Sequence, residues 1–396
     1  MVFVWNALPG ETVAFRVIKQ KRAFIEAIAE DILVSSPDRV APLDDIFLST
    51  SPWQILSTDG EKRAKLAIVE ELMEGAKVRV PSINYHDSVH KLHYRNKMEY
   101  SFWGDDSGLH LALHNRGSHA KQIVNGSSLA MVSIDTAARS LIDELMRCNV
   151  RAGDLKTVVI RSNRRGDVAM SLFVKQEDFT RLRLPKGVGG LNIYYSDPKS
   201  PASVATKLLM TYGSVDLEDE LNGKVFVYSA DAFFQVNLDV FEQVLEKIKA
   251  GIDLVAMPVV DMFSGVGSIG LSLGAKEVKL VEINKTSADY AVINAKNLNI
   301  KAQVVVIGSE NALDLIPAQG CVIFDPPRAG LHRKIVDQLL IQKPTQIVYL
   351  SCNPATLARD LGLLQADYAI NSLDVYNFFP KTPHIESLAI LSRKAN

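Results

Sequence analysis

The chain has 396 residues, of which 47% are apolar and 22% charged, a balance that fits two or three globular domains and excludes disordered, collagen-like and low-complexity architectures. No stretch of about 18 apolar residues runs free of charge, so no membrane span is indicated. Residues 1–10 lack a basic region followed by an apolar core, which points to a cytoplasmic protein. Net charge is −1, but the basic residues are uneven: Arg16, Lys19, Lys21 and Arg22 crowd residues 12–25 without an acid, and residues 151–187 hold nine basic against four acidic side chains. Such runs suit a solvated face or a face that meets phosphate.

In chain order, residues 2–35 read as short strands. Pro37 and Pro42 punctuate a loop, and Leu66, Val69, Leu72 and Met73 within residues 61–74 have helical spacing. Residues 78–230 read as a mostly β region, with strands at 158–161, 168–175 and 191–195 and a short helix at 204–210. From about residue 231 strands and helices alternate. The strands are 259–263, 279–282, 303–307, 321–325 and 347–350; the helices are 287–298, 331–341 and 354–364. Short connections between alternating elements are the signature of an α/β doubly wound parallel sheet, whose ligands bind outside the carboxyl ends of its strands. The expected division is 1–45, 46–230 and 231–396.

Four constellations carry chemistry. Gly265, Gly267 and Gly270 form a GxGxxG turn after a strand and, by expectation, open a helix; Glu282 ends the next strand, where a carboxylate can accept both hydroxyl hydrogens of a ribose. That pattern serves a dinucleotide or S-adenosylmethionine equally. Asp325-Pro326-Pro327-Arg328 follows a strand, and its prolines fix φ and remove two donors, so Asp325 is held rigidly at the strand's end. Hydride transfer has no need of such a carboxylate, whereas a transferase acting on a planar base does. Cys352 stands between a strand and a helix, where the helix dipole is expected to lower a thiol pKa from about 8.5. Cys148 and Cys321 read as packing residues in apolar surroundings. His384 and Glu386 alternate with apolar residues, and either side chain can serve as a general base. Six of the eight histidines lie in residues 86–119, and His86, His90 and His93 have helical spacing. Without thiolates beside them they read as solvated or RNA-facing, and no metal is assigned.

Taken together, residues 7–11 (ALPGE), 36–40 (SPDRV), 94–102 (YRNKMEYSF), 233–237 (FFQVN), 261–271 (DMFSGVGSIGL), 324–331 (FDPPRAGL), 351–361 (SCNPATLARDL) and 379–386 (FPKTPHIE) resemble the S-adenosylmethionine-dependent RNA uracil-C5 methyltransferases, over nearly the whole chain. The resemblance implies a C-terminal Rossmann-like class I methyltransferase domain, a mostly β middle RNA-binding domain and a TRAM-like, oligonucleotide-binding barrel at the start, which begins late enough to lack its first strand. It implies Cys352 as nucleophile, Glu386 as proton-abstracting base and Asp325 as a catalytic carboxylate. Gln235, Phe263, Gly265, Gly267, Ser268, Glu282, Asn311 and Asp325 match the methyl-donor contacts. The TRAM-like start tilts the expected substrate to 23S rRNA, with a tRNA T-loop uridine as the alternative; the expected partner is RNA, with no protein partner and no membrane.

The chemistry of the residues agrees with that assignment. C5 of uracil is a poor nucleophile until a thiolate adds to C6, after which C5 can take a methyl from a sulfonium and must then lose its hydrogen to a base. One departure is plain. Many relatives hold an iron–sulfur cluster with closely spaced cysteines, whereas residues 48–54 and 125–128 contain none, so no cluster is expected. Two other classes remain as alternatives. A catalytically silent RNA-binding protein would not need Cys352, Glu386 and Asp325, and a dinucleotide oxidoreductase would leave Cys352-Asn353-Pro354 unexplained.

Overall fold

A computed structural model describes all residues except 119, 201, 254–256 and 396. The chain opens with a three-stranded sheet of β1 (Val2–Trp5), β2 (Thr12–Gln20) and β3 (Ile25–Val34), in the order β1-β3-β2. A closed oligonucleotide-binding barrel takes five strands. Residues 1–35 supply three, and Phe3, Phe15, Val17 and Ile18 stay at the surface. The expected barrel is therefore an open sheet among the described residues.

After α1 (Phe47–Thr50), α2 (Thr58–Gly75) starts where the Ser57 hydroxyl accepts from Gly60 N at 3.0 Å, with Asp59 and Glu61 in its first turn. Then come β4 (Ile83–His86), β5 (Lys97–Asp105), β6 (Gly108–His114), β7 (Lys121–Ile123), α3 (Val132–Arg147), β8 (Leu155–Ser162), β9 (Val168–Val174), β10 (Gly190–Tyr195) and β11 (Lys207–Gly213). All of these strands except β4 form a seven-stranded sheet, β11-β10-β9-β8-β5-β6-β7. Helix α3 covers it, packing Ile134, Ala137, Ala138, Leu141 and Leu145 against Tyr100, Val158, Ile160 and Met170. That spacing is helical in the sequence too, within a region expected to be β. The helix expected at 204–210 is instead β11, because β10 offers an open edge to pair with and Thr211 Oγ1 donates to Asn192 Oδ1 at 2.8 Å; tertiary pairing overrides a weak local preference.

A hairpin of β12 (Asp216–Leu221) and β13 (Lys224–Ser229) turns at Asn222-Gly223, both at positive φ (49° and 81°), as a two-residue hairpin turn requires. Its Leu217, Phe226 and Tyr228 join the same core as α4 (Leu238–Gly251). The remaining elements are β14 (Val259–Asp261), β15 (Val278–Glu282), α5 (Lys285–Asn297), β16 (Ala302–Val306), β17 (Cys321–Phe324), α6 (Arg333–Gln342), β18 (Gln346–Ser351), α7 (Pro354–Leu364), β19 (Tyr368–Tyr376) and β20 (Glu386–Arg393). Their sheet runs β16-β15-β14-β17-β18-β20-β19-β4. The first five strands in that order are parallel, and β20 is inserted antiparallel between β18 and β19. This departs from the 3-2-1-4-5-6 order of dinucleotide-binding sheets.

The core does not part at residue 231. β4 pairs parallel with β19, and Val69 and Met73 of α2 share a core with β18, β19 and α7. The glycine turn also differs from expectation: residues 262–273 form successive turns rather than a helix. Gly265, Gly267 and Gly274 sit at φ 54°, 86° and 82°, a backbone incompatible with an α-helix. Among the described residues no helix is long and apolar enough to cross a membrane.

Candidate active site

The chain reverses direction across the sheet at β14, which lies between β15 and β17, so the carboxyl ends of these strands open a crevice. A cavity of about 780 Å³ occupies it, walled by Gln235, Phe263, Gly265, Glu282, Asp325, Cys352 and Glu386. Three residues matched to the donor site lie off this wall. Gly267 is inside the turn, where a Cβ would lie 2.7 Å from Leu271 Cδ1. Ser268 contributes its carbonyl, which accepts from Ser272 Oγ at 2.6 Å. Asn311 ends a short turn (Ser309–Asn311) at the surface, and its neighbours Ser309 and Glu310 line the cavity instead. A carboxylate one residue from the matched position was the signal that could have found Glu310.

Glu282 fastens the two ends of this wall. One carboxylate oxygen accepts from Gly265 N at 2.9 Å and the other from Asn284 N at 2.6 Å, leaving each oxygen a further lone pair. Behind it, Asp261 accepts from Gly270 N at 3.0 Å while its other oxygen is buried without a partner. Burial and the Glu282 charge push Asp261 up to about 7.

The Asp325 and Cys352 turns are locked to one another. Asn353 Nδ2 donates to Arg328 O at 2.9 Å and its Oδ1 caps α7 by accepting from Ala355 N at 3.1 Å. Asp360 accepts from Leu331 N at 3.0 Å and from Tyr349 OH at 2.9 Å, and Arg359 donates to Ala329 O at 3.2 Å. Gly330, at φ 74°, permits the close approach of Thr356 and Arg359. Gln235 Nε2 donates to Asp325 Oδ2 at 3.1 Å. Burial, then the nearby Asp261, pushes Asp325 up to about 7.

The thiol behaves opposite to expectation. Burial, Glu386 and Asp325 push Cys352 up to about 11, against the pull of Arg328. The helix end contributes little because its first residue is Pro354, which has no N–H, and Asn353 already caps it. Cys321 is buried in β17 with its thiol pushed up to about 12, in keeping with a packing role. Cys148 ends α3, packed against the core under that helix, and its Sγ also lies 3.2 Å from Arg147 Nη2 and 3.7 Å from Glu144 Oε1.

Glu386 begins β20, 9% exposed, and burial beside Asp325 raises it well above the ordinary carboxylate range. His384 is a weak base here. Arg328 Nη2 lies 3.0 Å from its Nδ1, and burial with the Arg328 and Arg95 charges holds it down to about 4. The loop carrying both is pinned by a buried pair on α2 that sequence reading missed. Lys65 Nζ donates to Glu61 at 2.8 Å, to Asn377 Oδ1 at 2.7 Å and to Phe379 O at 3.2 Å. Glu61 in turn accepts from the backbone N of Lys381, which sits at φ 64°. Lys65 also pulls Glu386 downward electrostatically.

The histidines do not converge. His86 Nε2 bonds Asp374 at 2.8 Å, His90 faces Asp239 at 3.8 Å and His93 Nδ1 lies 2.9 Å from Ala130 O; His119 is outside the described residues. No group of three metal-ligating side chains occurs among the described residues. In the loops that hold the cluster in relatives, Gln54 is buried at the centre of a polar network. Its Nε2 donates to Ser51 Oγ at 2.7 Å, Asp44 at 3.0 Å and Ser128 Oγ at 3.1 Å, and its Oε1 accepts from Leu43 N at 2.8 Å and Asp44 N at 3.1 Å. Gln54→Ala should therefore destabilise the protein by about 3 kcal/mol, since buried donors lose their acceptor. A urea-unfolding midpoint equal to that of the unmodified protein would show that the network contributes nothing.

The chain is 29% identical to an uncharacterized RNA methyltransferase of Enterococcus faecalis, covering 99% of this chain and 92% of the relative. It is 28% identical to one of Nitratidesulfovibrio vulgaris, covering 100% and 92%. The fold is shared with the Pyrococcus abyssi tRNA (uracil-54, C5)-methyltransferase solved with S-adenosyl-L-homocysteine, at a TM-score of 0.81 and 23% identity over 98% of this chain and 95% of that one. The family model for tRNA (uracil-5-)-methyltransferase matches residues 59–394, and the chain belongs to that family.

Proposed function

We propose that the protein transfers a methyl group from S-adenosylmethionine to C5 of a uridine in structured RNA, through a covalent bond between Cys352 Sγ and C6. The observation that carries this reading is the meeting of a thiol and two raised carboxylates, Cys352, Asp325 and Glu386, in one cavity at the carboxyl ends of the sheet. The cavity suits the methyl donor: Glu282 has free lone pairs for ribose hydroxyls, and Asp325, Glu310 and Glu386 give it an acidic lining for a cation. Bound there, the donor supplies an electrophilic methyl on a sulfonium.

The chain's own residues do the rest. The thiolate of Cys352 adds to C6, and the electron pair moves to C5, which takes the methyl. Glu386 removes the C5 proton, the C5–C6 double bond re-forms and the C6–S bond breaks, which returns the thiolate. Glu386 and Asp325 oppose the thiolate in the free protein, so a cation entering the cavity offsets their charge and eases ionisation of Cys352.

The preference for 23S rRNA rests on a barrel-like start. The open three-stranded sheet weakens that support, and the description of the matching family names tRNA. The test is to incubate the protein with labelled donor and unmodified tRNA and 23S rRNA transcripts, and to locate 5-methyluridine. Label in one transcript class identifies the substrate; label at an atom other than uridine C5 refutes the reading.

Donor binding should depend on pH. Asp325 rises from about 4 in the unfolded chain to about 7 in the folded one. The folded protein thus holds the extra proton between these values, and this group's contribution to stability falls as pH rises through that window. A cationic donor favours the ionised carboxylate. Its affinity should therefore rise up to about pH 8, with proton release on binding near pH 7. Calorimetry in buffers of different ionisation enthalpy reads both quantities; a flat affinity without proton release would remove Asp325 from the donor's surroundings.

A further inference from the structure

We propose that Arg95 and Lys97 form an anion site at the mouth of the cavity that takes the backbone phosphate of the target nucleotide and its neighbour, holding the extruded uridine over Cys352. The proposal rests on the RNA reading above and extends it to two residues of the 94–102 motif that the chemistry leaves unused.

Asn96 fixes the backbone between them. It is buried, its Nδ2 donates to Gln235 O at 2.9 Å, its N donates to Val236 O at 3.2 Å and its O accepts from Ser162 N at 2.9 Å. In an extended segment neighbours alternate, so Arg95 and Lys97 share the opposite side, about 7 Å apart along the chain, and both line the cavity.

Neither cation has a hydrogen-bonded or ion-paired partner among the described residues, and Arg95 Nε is buried and unsatisfied. The nearby Asp231 is already occupied, accepting from Ser171 Oγ at 2.6 Å and Tyr194 OH at 2.7 Å. A third cation, the fully buried Arg161, lies beside Lys97 in the β5–β8 pairing and donates only to the carbonyls of Phe234 and Ala232, at 3.2 Å and 3.3 Å. Burial and these guanidinium groups bring Lys97 down to about 8. A buried positive cluster on which the Glu99 and Asp231 carboxylates act only at a distance suits an added anion.

Two anions fit the chemistry: a phosphate of the RNA and the carboxylate of the methyl donor. Position favours the phosphate. Arg95 lies 6.0 Å from the Phe379 ring, at the end of the cavity where Phe379 and His384 stand, whereas Glu282, Ile283 and Asn284 line the ribose end. Unstacking a uridine costs a few kcal/mol, and phosphate contacts next to the base are what fix its register.

The experiment uses the full-length protein in a Cys352→Ala background, a tRNA transcript as probe, and Arg95→Gln, Lys97→Gln and the charge-preserving Arg95→Lys and Lys97→Arg. RNA affinity is measured across a salt series and donor affinity by calorimetry. Each Gln variant should lose RNA affinity about tenfold and reduce the salt slope by about one, with donor affinity unchanged; the charge-preserving variants should keep the slope and report folding independently. An unchanged RNA affinity and slope in folded Gln variants overturns the proposal. So does a loss of donor affinity alone, which would assign the cations to the donor's carboxylate. Unmodified protein that binds the transcript but does not methylate it counts against the methyl-transfer reading and leaves the variant comparison intact.

Discussion

In a Cys352→Ala variant, turnover should fall by on the order of 10⁴–10⁶-fold, with RNA and donor binding retained and no protein–RNA adduct on a denaturing gel. The magnitude follows from the substrate: without addition at C6, C5 carries too little electron density to take a methyl. The side chain is half-buried on the cavity wall, so removing the sulfur should leave the fold in place. Because burial and then two carboxylates push the thiol up to about 11, adduct formation by unmodified protein without donor should quicken as pH rises. An adduct in Cys352→Ala, or residual turnover near the normal rate, would remove the covalent mechanism.

Glu386→Gln should fail later in the sequence of steps. An amide cannot accept the C5 proton, so turnover should drop by on the order of 10²–10⁴-fold, while one round of addition and methyl transfer still occurs. The product is a stable adduct that already contains the labelled methyl group. Substitution also removes a carboxyl whose ionised form pushes the Cys352 thiol up, so addition should be no slower than in the unmodified protein. Labelled RNA and labelled donor on the same denaturing gel distinguish this from a simple loss of binding. Normal turnover in Glu386→Gln would transfer the base role away from this residue; His384, held down to about 4 with Arg328 against its Nδ1, is poorly suited to receive it.

How much of this was legible beforehand depends on the range of the interaction. Residues 354–364 read as a helix and form α7, and the strands expected at 279–282 and 347–350 lie within β15 and β18. Side-chain period, Pro354 at the helix start and glycine placement act within a few residues, and one chain records them fully. The same holds for the strand-to-turn positions of Asp325, Cys352 and Glu282, which topology then brings to one end of the sheet.

Other features exist only once distant segments meet. Lys65 and Asn377 are 312 positions apart, and nothing local marks Lys65 as a buried cation beneath the loop that leads into β20. β4 completes a sheet whose other strands begin at residue 259, because the open edge of β19 has unpaired backbone groups to satisfy. The turn at 262–273 carries a helix-opening motif, yet its positive-φ glycines and the carbonyls of Leu271 and Ser272, bonded by Lys224 Nζ at 2.7 Å and 3.1 Å, hold it as turns. The Cys352 thiol looks activated by a helix end when read alone; burial, and then two carboxylates brought in from other strands, reverse the direction. The sequence by itself determined which residue types stand at the strand-to-turn positions around the cavity, since residue type and local turn are covalent facts. Only the tertiary structure decided in which direction their titration shifts and which cations line the cavity, since these depend on burial and on neighbours supplied by the whole fold.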